Sequence, residues 1–121
     1  MYKRHNVGKN GEKLAAKYLE QSNYKIIKQN FRCKQGEIDI IAIDNKKLEQ
    51  DLVFVEVKTR TSLKFGTPAE AVDRNKRQHI LKTAKYFLYS NNIKDKSIRF
   101  DTIEVFLNKN KYKINHIKQI M

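Results

Sequence analysis

Cysteine, long apolar runs and acidic residues are all scarce in this chain of 121 residues. Cys33 is the only cysteine, which excludes an internal disulfide and a zinc site built from cysteines. No apolar run approaches the roughly 20 residues that cross a bilayer. The basic start has no apolar segment behind it, so we expect no signal peptide. From these absences we expect a soluble, cytoplasmic protein with no membrane partner.

The chain also lacks internal repeats, low-complexity tracts and a convincing linker. Its length suits one domain with a modest core, and 40% of its residues are hydrophobic. Wholesale disorder is therefore not expected. We expect a single domain over residues 1–121.

Acidic residues number only half of the basic ones, 13 Asp and Glu against 26 Lys and Arg, for a formal charge of +13. A surplus of this size favours a polyanionic partner, through its electrostatic field and the counterions that binding releases. A lysine-rich proteome would also raise the count of bases, but it would tend to raise Glu as well. We expect nucleic acid, and keep an anionic membrane or an acidic protein as alternatives.

Hydrophobic periodicity and turn residues predict an α-β-β-β-α-β-β order. Thr67 is a predicted cap of the second helix and Pro68 its first residue. The order favours an α/β or α+β sandwich with a mixed sheet flanked by helices. The predicted elements are a helix Val7–Ser22, strands Tyr24–Arg32, Gly36–Asp44 and Leu52–Arg60, a helix to about Tyr89, and strands Ser97–Leu107 and Lys111–Ile120.

Charged residues interrupt the apolar run of the third strand. Strand alternation places Glu56, Lys58 and Arg60 on one face. An ordinary half-exposed strand would show the same alternation, but Val53-Phe54-Val55 is typical of a central strand covered on both faces. Charges at the end of such a strand are costly unless they are paired, bind a metal or open into a cleft.

The second strand repeats this anomaly at Asp39, which strict alternation places on the face of Glu37, Ile41 and Ile43. Two neighbouring strands can bring Asp39 and Glu56 together, where bare carboxylates repel each other and favour a bound cation. Oxygen ligands without a His or Cys cluster favour Mg²⁺ or Mn²⁺ over zinc.

Other charged side chains have both a functional and a structural interpretation. Lys58 could orient water or stabilise charge during phosphodiester cleavage, although an acid followed two residues later by lysine is common. Glu12 could join the acids or simply be solvated in the first helix. Lys76 could reach phosphate in the same cleft or extend to water. Arg60 begins a loop that could contact a phosphate backbone or be merely solvated.

Taken together, the motifs of this sequence resemble those of a known family, the bacterial YraN proteins. That family looks like part of the PD-(D/E)XK nuclease superfamily, close in layout to archaeal Holliday junction resolvases. The resemblance is carried by Gly8-x-x-Gly11-Glu12-x-x-Ala15-x-x-Tyr18-Leu19, Asn30-Phe31-Arg32-Cys33-x-x-Gly36-Glu37-Ile38-Asp39-Ile40-Ile41 and Phe54-Val55-Glu56-Val57-Lys58-Thr59-Arg60, and is extended by Ala71-Val72, Lys76, Tyr86-x-Leu88 and Arg99-Phe100-Asp101.

The resemblance implies a restriction-endonuclease-like core and a catalytic set of Asp39, Glu56 and Lys58, with Glu12 as an additional acid. It also implies the Val57 carbonyl as a further metal ligand beside Asp39 and Glu56.

The leading hypothesis is a metal-dependent endonuclease acting on DNA, including branched or structured DNA. The alternatives are a non-catalytic nucleic-acid-binding module and an adaptor in a DNA-processing complex. We expect Arg60 and Lys76 to contact nucleic acid, and Arg99 with Asp101 to form a structural ion pair. The three histidines are assigned no metal role. The sequence does not decide between a monomer and a homodimer.

Overall fold

The protein is built around a five-stranded mixed sheet, β1-β2-β3-β4-β5 in spatial order, with a long helix packed on each face. The computed structural model describes residues 4–46, 48–61 and 74–121. Their elements follow the predicted order, and a mixed sheet flanked by helices is confirmed. The elements are α1 Arg4–Gln21, β1 Tyr24–Cys33, β2 Gly36–Asp44, β3 Asp51–Arg60, α2 Arg74–Ser90, β4 Ile98–Asn108 and β5 Lys111–Ile117.

Among the described residues, two boundaries differ from prediction by more than one residue. Helix α1 begins at Arg4 rather than Val7. Strand β5 ends at Ile117 rather than Ile120, because the next residues bond elsewhere: the Gln119 N–H donates to Asp101 Oδ1 and the Ile120 N–H donates to the Phe100 carbonyl. The predicted cap Thr67 and first helical residue Pro68 lie outside the described residues.

Strand β3 is the centre of the sheet, antiparallel to β2 and parallel to β4. Val53 and Val55 pack into the core beneath α1, whereas Phe54 packs into the core beneath α2. The prediction of a central strand covered on both faces is therefore confirmed. Neither helix of the described residues has the length and apolar character that crossing a membrane requires.

The alternation of side chains in β2 breaks at Asp39. Ile38 and Ile41 pack in the same core cluster, although strict alternation would place them on opposite faces, while Ile40 packs beneath α1. On the neighbouring strand, Asn30 has a left-handed backbone with φ of 53°. Local irregularities of this kind re-aim a side chain. The strict alternation used to place Asp39 therefore does not hold on its N-terminal side.

A buried arginine ties the strands together at the start of β3. The Arg99 side chain is 3% exposed and bonds Asp44 on β2 at 2.9 Å and Asp101 on its own strand at 2.9 Å. It also donates to the Tyr24 hydroxyl on β1 at 2.7 Å. The expected Arg99–Asp101 ion pair is confirmed, and with Asp51 of β3 at 3.4 Å the further partners of Arg99 make it a brace for four strands.

Helix α1 approaches β3 most closely at Gly11. A Cβ built at this position would lie 2.9 Å from both Cβ and Cγ2 of Thr59, with Thr59 Oγ1 closer still. Only a glycine lets the helix backbone come this near. The contact fixes the position of Glu12, the next residue, against the end of β3 that carries Lys58.

We predict that Gly11→Ala destabilises the protein by about 1–3 kcal/mol through overpacking, although alanine in a helix interior is ordinarily favoured by about 0.5–1 kcal/mol. Urea denaturation measures the change in the free energy of unfolding. Thr59→Ala in the same chain should recover part of the loss, because it removes Oγ1 and Cγ2. The control, Asn10→Ala, changes an exposed neighbour and should not destabilise. Equal stabilities of Gly11→Ala and wild type would contradict the close approach.

Candidate active site

An open cleft of about 420 Å³ lies between the start of α2 and the adjoining parts of β2 and β3. It is lined by both polar and apolar side chains. Of the predicted site residues, it brings together Asp39, Glu56 and Lys76. The lining comprises Glu37, Ile38, Asp39, Phe54, Val55, Glu56, Asn75, Lys76, His79, Ile80, Phe100, Asp101 and Ile120.

Asp39 is held at this cleft by the backbone of the neighbouring strand. Its Oδ2 accepts a hydrogen bond from the Val57 N–H at 2.8 Å. This bond lies beyond the paired register of β2 and β3, whose last paired residues at this end are Ile40 and Val55. The break in alternation at Asp39 thus turns the carboxylate toward the end of β3, next to Glu56.

The pKa of Asp39 is raised to about 6, mainly by burial and in addition by the nearby charges of Glu12, Glu56 and Glu37. The hydrogen bond from Val57 opposes this shift but does not cancel it. Desolvation and like charges both disfavour the ionised form of a carboxyl group. The acid at this position is thus poised to titrate near neutral pH or to accept a cation.

The two oxygens of Glu56 have different surroundings. Oε1 forms an ion pair with the ammonium of Lys76 on α2. Oε2 is buried and has no hydrogen-bond partner among the described residues. The side chain as a whole is 17% exposed. A buried carboxylate oxygen without a partner is costly and is satisfied by a cation, a water or a ligand.

Oxygen donors dominate this part of the cleft, and they fit Mg²⁺ or Mn²⁺ better than a softer metal. The described residues contain no ready-made group of three or more His, Cys, Asp or Glu side chains around one point. The carboxylates of Asp39 and Glu56 could hold a metal here, and the family resemblance implies the Val57 carbonyl as a further ligand. Mg²⁺ commonly has few protein ligands and retains several waters.

Glu12 lies on α1 outside the cleft lining but acts on it electrostatically. Burial raises the pKa of Glu12, and the charge of Glu37 adds to the increase. A hydrogen bond from Asn30 and the charge of Arg32 oppose it. Glu12 in turn raises the pKa of Asp39. The first helix thus adds an acid to the negative charges around Asp39, although the Glu12 carboxylate lies outside the cleft lining.

Lys58 and Arg60 follow Glu56 along β3 and are also outside the cleft lining. Lys58 is half-buried and lies opposite Glu104 in the parallel β3–β4 register. The Arg60 Nε donates to Glu104 Oε2 at 3.2 Å. The guanidinium expected to contact phosphate is therefore held by a carboxylate of the adjacent strand.

Glu104 was missed by the sequence analysis. It is a buried acid that receives Arg60 on one oxygen and the Asn115 amide on the other, at 3.0 Å. The available signal was a charge inside the apolar run Ile103-Glu104-Val105, the same kind of interruption that identified Glu56. It orients Arg60 beside the site.

Lys76 and His79 enter the cleft from α2. Lys76 lines the cleft, where its ammonium meets Glu56, and its expected contact with phosphate stays a prediction. His79, which was assigned no role, lines the same cleft, and its Nδ1 lies 3.0 Å from the Gln35 carbonyl oxygen. Its position three residues after Lys76 places it on the same side of the helix, which is a signal readable from sequence.

The chain is similar over most of its length to a family of uncharacterised bacterial proteins. The model of "Uncharacterised protein family UPF0102" matches residues 11–105. A UPF0102 protein of Caldanaerobacter subterraneus subsp. tengcongensis is 53% identical over 114 residues, covering 92% of this chain and 90% of that protein. One from Caldicellulosiruptor bescii is 50% identical and covers 93% of each chain. A third, from Clostridioides difficile, is 48% identical, covering 88% of this chain and 89% of that protein.

The raised pKa of Asp39 predicts a pH-dependent stability in metal-free protein. Because the folded-state pKa, about 6, exceeds the ordinary 3.8, ionisation destabilises the fold as pH rises from about 4 to about 6. In the presence of a chelator, Asp39→Asn should therefore increase the free energy of unfolding at pH 8 by about 2–3 kcal/mol. Solvent screening of the Asp39 charge would reduce this gain. The gain should vanish at pH 4. Thermal and urea unfolding at both values measure it.

The exposed loop residue Glu49 supplies the matched control, since Glu49→Gln removes one negative charge without relieving burial. Its effect should be small and nearly the same at both pH values. An Asp39→Asn gain that is as large at pH 4 as at pH 8 would exclude titration of this carboxyl group as its cause.

Proposed function

The chain belongs to the UPF0102 (YraN) family, and on that premise we propose that it is a metal-dependent endonuclease-like protein that acts on DNA. The observation that carries the proposal is the pair of carboxylates at the cleft. Asp39 has a pKa raised to about 6, and Glu56 has a buried oxygen without a partner among the described residues. Perturbed acids in a cleft are typical of functional sites.

The carboxylates of Asp39 and Glu56, with the Val57 carbonyl, would hold Mg²⁺ or Mn²⁺. Such an ion supplies a more acidic bound water and neutralises charge on a phosphate oxygen. Glu12 increases the negative potential at Asp39 from α1 and so favours a cation there. Lys58 would orient the attacking water or stabilise the charge that develops on the phosphate.

Phosphate contacts are proposed for Lys76 and Arg60. Lys76 reaches the cleft from α2 and neutralises one oxygen of Glu56. Arg60 is held at the end of β3 by Glu104, which fixes its direction. The chain's formal charge of +13 favours a polyanion as partner. We take residues 1–121 as one nuclease-like domain working in the cytoplasm, where a monomer and a homodimer both remain compatible with this role.

A second candidate function is a non-catalytic nucleic-acid-binding module. The ion pair between Lys76 and Glu56 favours it, because the pair could serve only to fasten α2 to the sheet. The two functions differ in their response to metal. A binding module needs no cation at Asp39, whereas an endonuclease does.

We predict that Mg²⁺ or Mn²⁺ raises the melting temperature of the wild type. A ligand at a hundred times its dissociation constant stabilises the native state by about 2.7 kcal/mol. Asp39→Asn/Glu56→Gln should lose the effect, and Glu49→Gln should retain it. Lys76→Ala should bind metal at least as tightly as wild type, since the ammonium competes for Glu56 Oε1. Calorimetry showing equal metal affinity in the double variant would place the metal elsewhere.

Cleavage is predicted to depend on Lys58 beyond its charge. Lys58→Ala and Lys58→Arg should both lower cleavage by about 10²- to 10⁴-fold while DNA affinity changes little, because the broad guanidinium cannot replace a compact ammonium beside water. Glu56→Gln should also lose cleavage and bind DNA as well as wild type or better. Lys13→Ala, at an exposed position of α1, is the charge-matched control.

The assay uses linear, flapped and four-way DNA and RNA, each with Mg²⁺, Mn²⁺ or chelator. Wild-type protein that cleaves none of them would favour the binding module. Near wild-type cleavage by Lys58→Ala would retain the enzyme and remove Lys58 from its mechanism.

A further inference from the structure

The solvent-facing side of α2 repeats one arrangement of side chains. An arginine is followed eight residues later by a lysine and four residues after that by a tyrosine, and the same series recurs three residues further along. Residues spaced by four lie in a row along a helix. We call this surface the outer face of α2. It consists of Arg74, Lys82 and Tyr86 in one row, and Arg77, Lys85 and Tyr89 in the other, all exposed.

The charge on this helix has one sign. The sequence Arg74–Ser90 contains five lysines and arginines and no aspartate or glutamate. The nearby strand β1, Tyr24–Cys33, also contains lysines and an arginine and no aspartate or glutamate. Basic residues on both elements attract a polyanion, which releases counterions when it binds.

Two tyrosines are exposed among these lysines and arginines. Tyr89 is 84% exposed and Tyr86 is 48% exposed. The Tyr86 ring stacks on Phe31 of β1, with centroids 6.3 Å apart and planes 30° apart, so one side of the ring is braced by the sheet. Exposed aromatic rings among basic side chains are typical of surfaces on which unpaired nucleobases stack.

The outer face of α2 begins at the proposed active site. Lys76 and His79 of the same helix line the cleft. From Lys76 to Tyr89 the helix extends about 20 Å. A nucleic-acid strand whose phosphate lies in the cleft can therefore continue along the helix past the lysines to the tyrosines.

We propose that a single-stranded segment of the nucleic acid lies along the outer face of α2, with its phosphates on the lysines and arginines and bases stacked on Tyr86 and Tyr89. The inference rests on the proposed function and deepens it. The substrate class is nucleic acid with an unpaired arm, such as a flap or an overhang, next to the position held in the cleft. Duplex DNA does not offer its stacked bases to a surface ring without unstacking, at about a few kcal/mol per step.

Two other occupants fit this surface less well. A second copy docked face to face would set like charges against each other with no acid on the helix to pair them. A membrane would need an apolar face to bury, and within α2 the exposed large apolar residue beside the tyrosines is Leu81. Charge and aromatic content together favour single-stranded nucleic acid.

The test is a binding measurement in chelator, so that it does not depend on cleavage. Fluorescence anisotropy compares an oligothymidylate of about 20 nucleotides with a duplex of equal length. Tyr89→Ala should weaken binding of the single strand by about 5- to 100-fold and change duplex binding by less than about twofold. Tyr89→Phe should retain wild-type affinity because it keeps the ring. Tyr86→Ala should act in the same direction.

Matched controls come from other surfaces. Tyr112→Ala removes an exposed tyrosine from β5, and Lys17→Ala removes an exposed lysine from α1. Both should preserve single-strand affinity, whereas Lys85→Ala should reduce it and lower the slope of the salt dependence by about 0.7, as expected for one phosphate contact on a single strand. Melting temperatures of Tyr89→Ala and wild type should agree, since the ring is exposed.

Several results would overturn the inference. They are unchanged single-strand affinity in Tyr89→Ala, an equal loss on duplex, and a loss in Tyr89→Phe as large as in Tyr89→Ala. If Tyr89 is required for binding to phosphatidylserine vesicles and not for binding to nucleic acid, the surface would be assigned to a membrane. If only this inference fails, metal-dependent cleavage and its Lys58 dependence persist. If the proposed function alone fails, the Tyr89 effect on binding persists without cleavage.

Discussion

The ion pairs of Arg99 hold the sheet in its register. This guanidinium joins Tyr24 of β1, Asp44 of β2 and Asp101 of its own strand, and Asp101 in turn receives His116 of β5 at 2.8 Å. Arg99 also reaches Asp51 of β3 at 3.4 Å, so this largely buried network includes all five strands. Breaking a buried pair by removing one partner costs about 3–5 kcal/mol, because the remaining charge is uncompensated. The strand positions on which the cleft depends are fixed at this point.

The two buried acid clusters of the sheet differ in how their charges are compensated. Burial acts to raise the pKa of Asp101, but hydrogen bonds from His116 and Arg99 hold it below its ordinary value. At Asp39, burial and three neighbouring acids raise the pKa to about 6, with one backbone hydrogen bond opposing them. The first cluster is a completed structural network. The second destabilises the fold when Asp39 is ionised, and perturbed acids of this kind are typical of functional sites.

Local patterns predicted the order of elements, the covered central strand and the acids that meet at the cleft. Asp39 and Glu56 stood out because each interrupts an apolar run within its own strand. Three features could not be found this way: the break in alternation at Asp39, the hold of Glu104 on Arg60, and the contact of Arg99 with Asp44, 55 residues away in sequence. Each depends on side chains from distant segments meeting across the sheet, where hydrogen-bond partners rather than periodicity decide direction.

The contrast between the whole chain and its cleft bears most directly on function. A chain with a formal charge of +13 attracts polyanions, yet Glu37, Asp39 and Glu56 line the cleft and Glu12 adds to their field. Phosphate brought to this cleft by the basic surface would be repelled by the acids at short range. A divalent cation held by these carboxylates, as proposed, would remove that repulsion and supply a partner for the buried oxygen of Glu56. A pure binder would gain affinity for phosphate from neutral residues at Asp39 and Glu56. Two acids at this cleft instead suit the metal site that we propose.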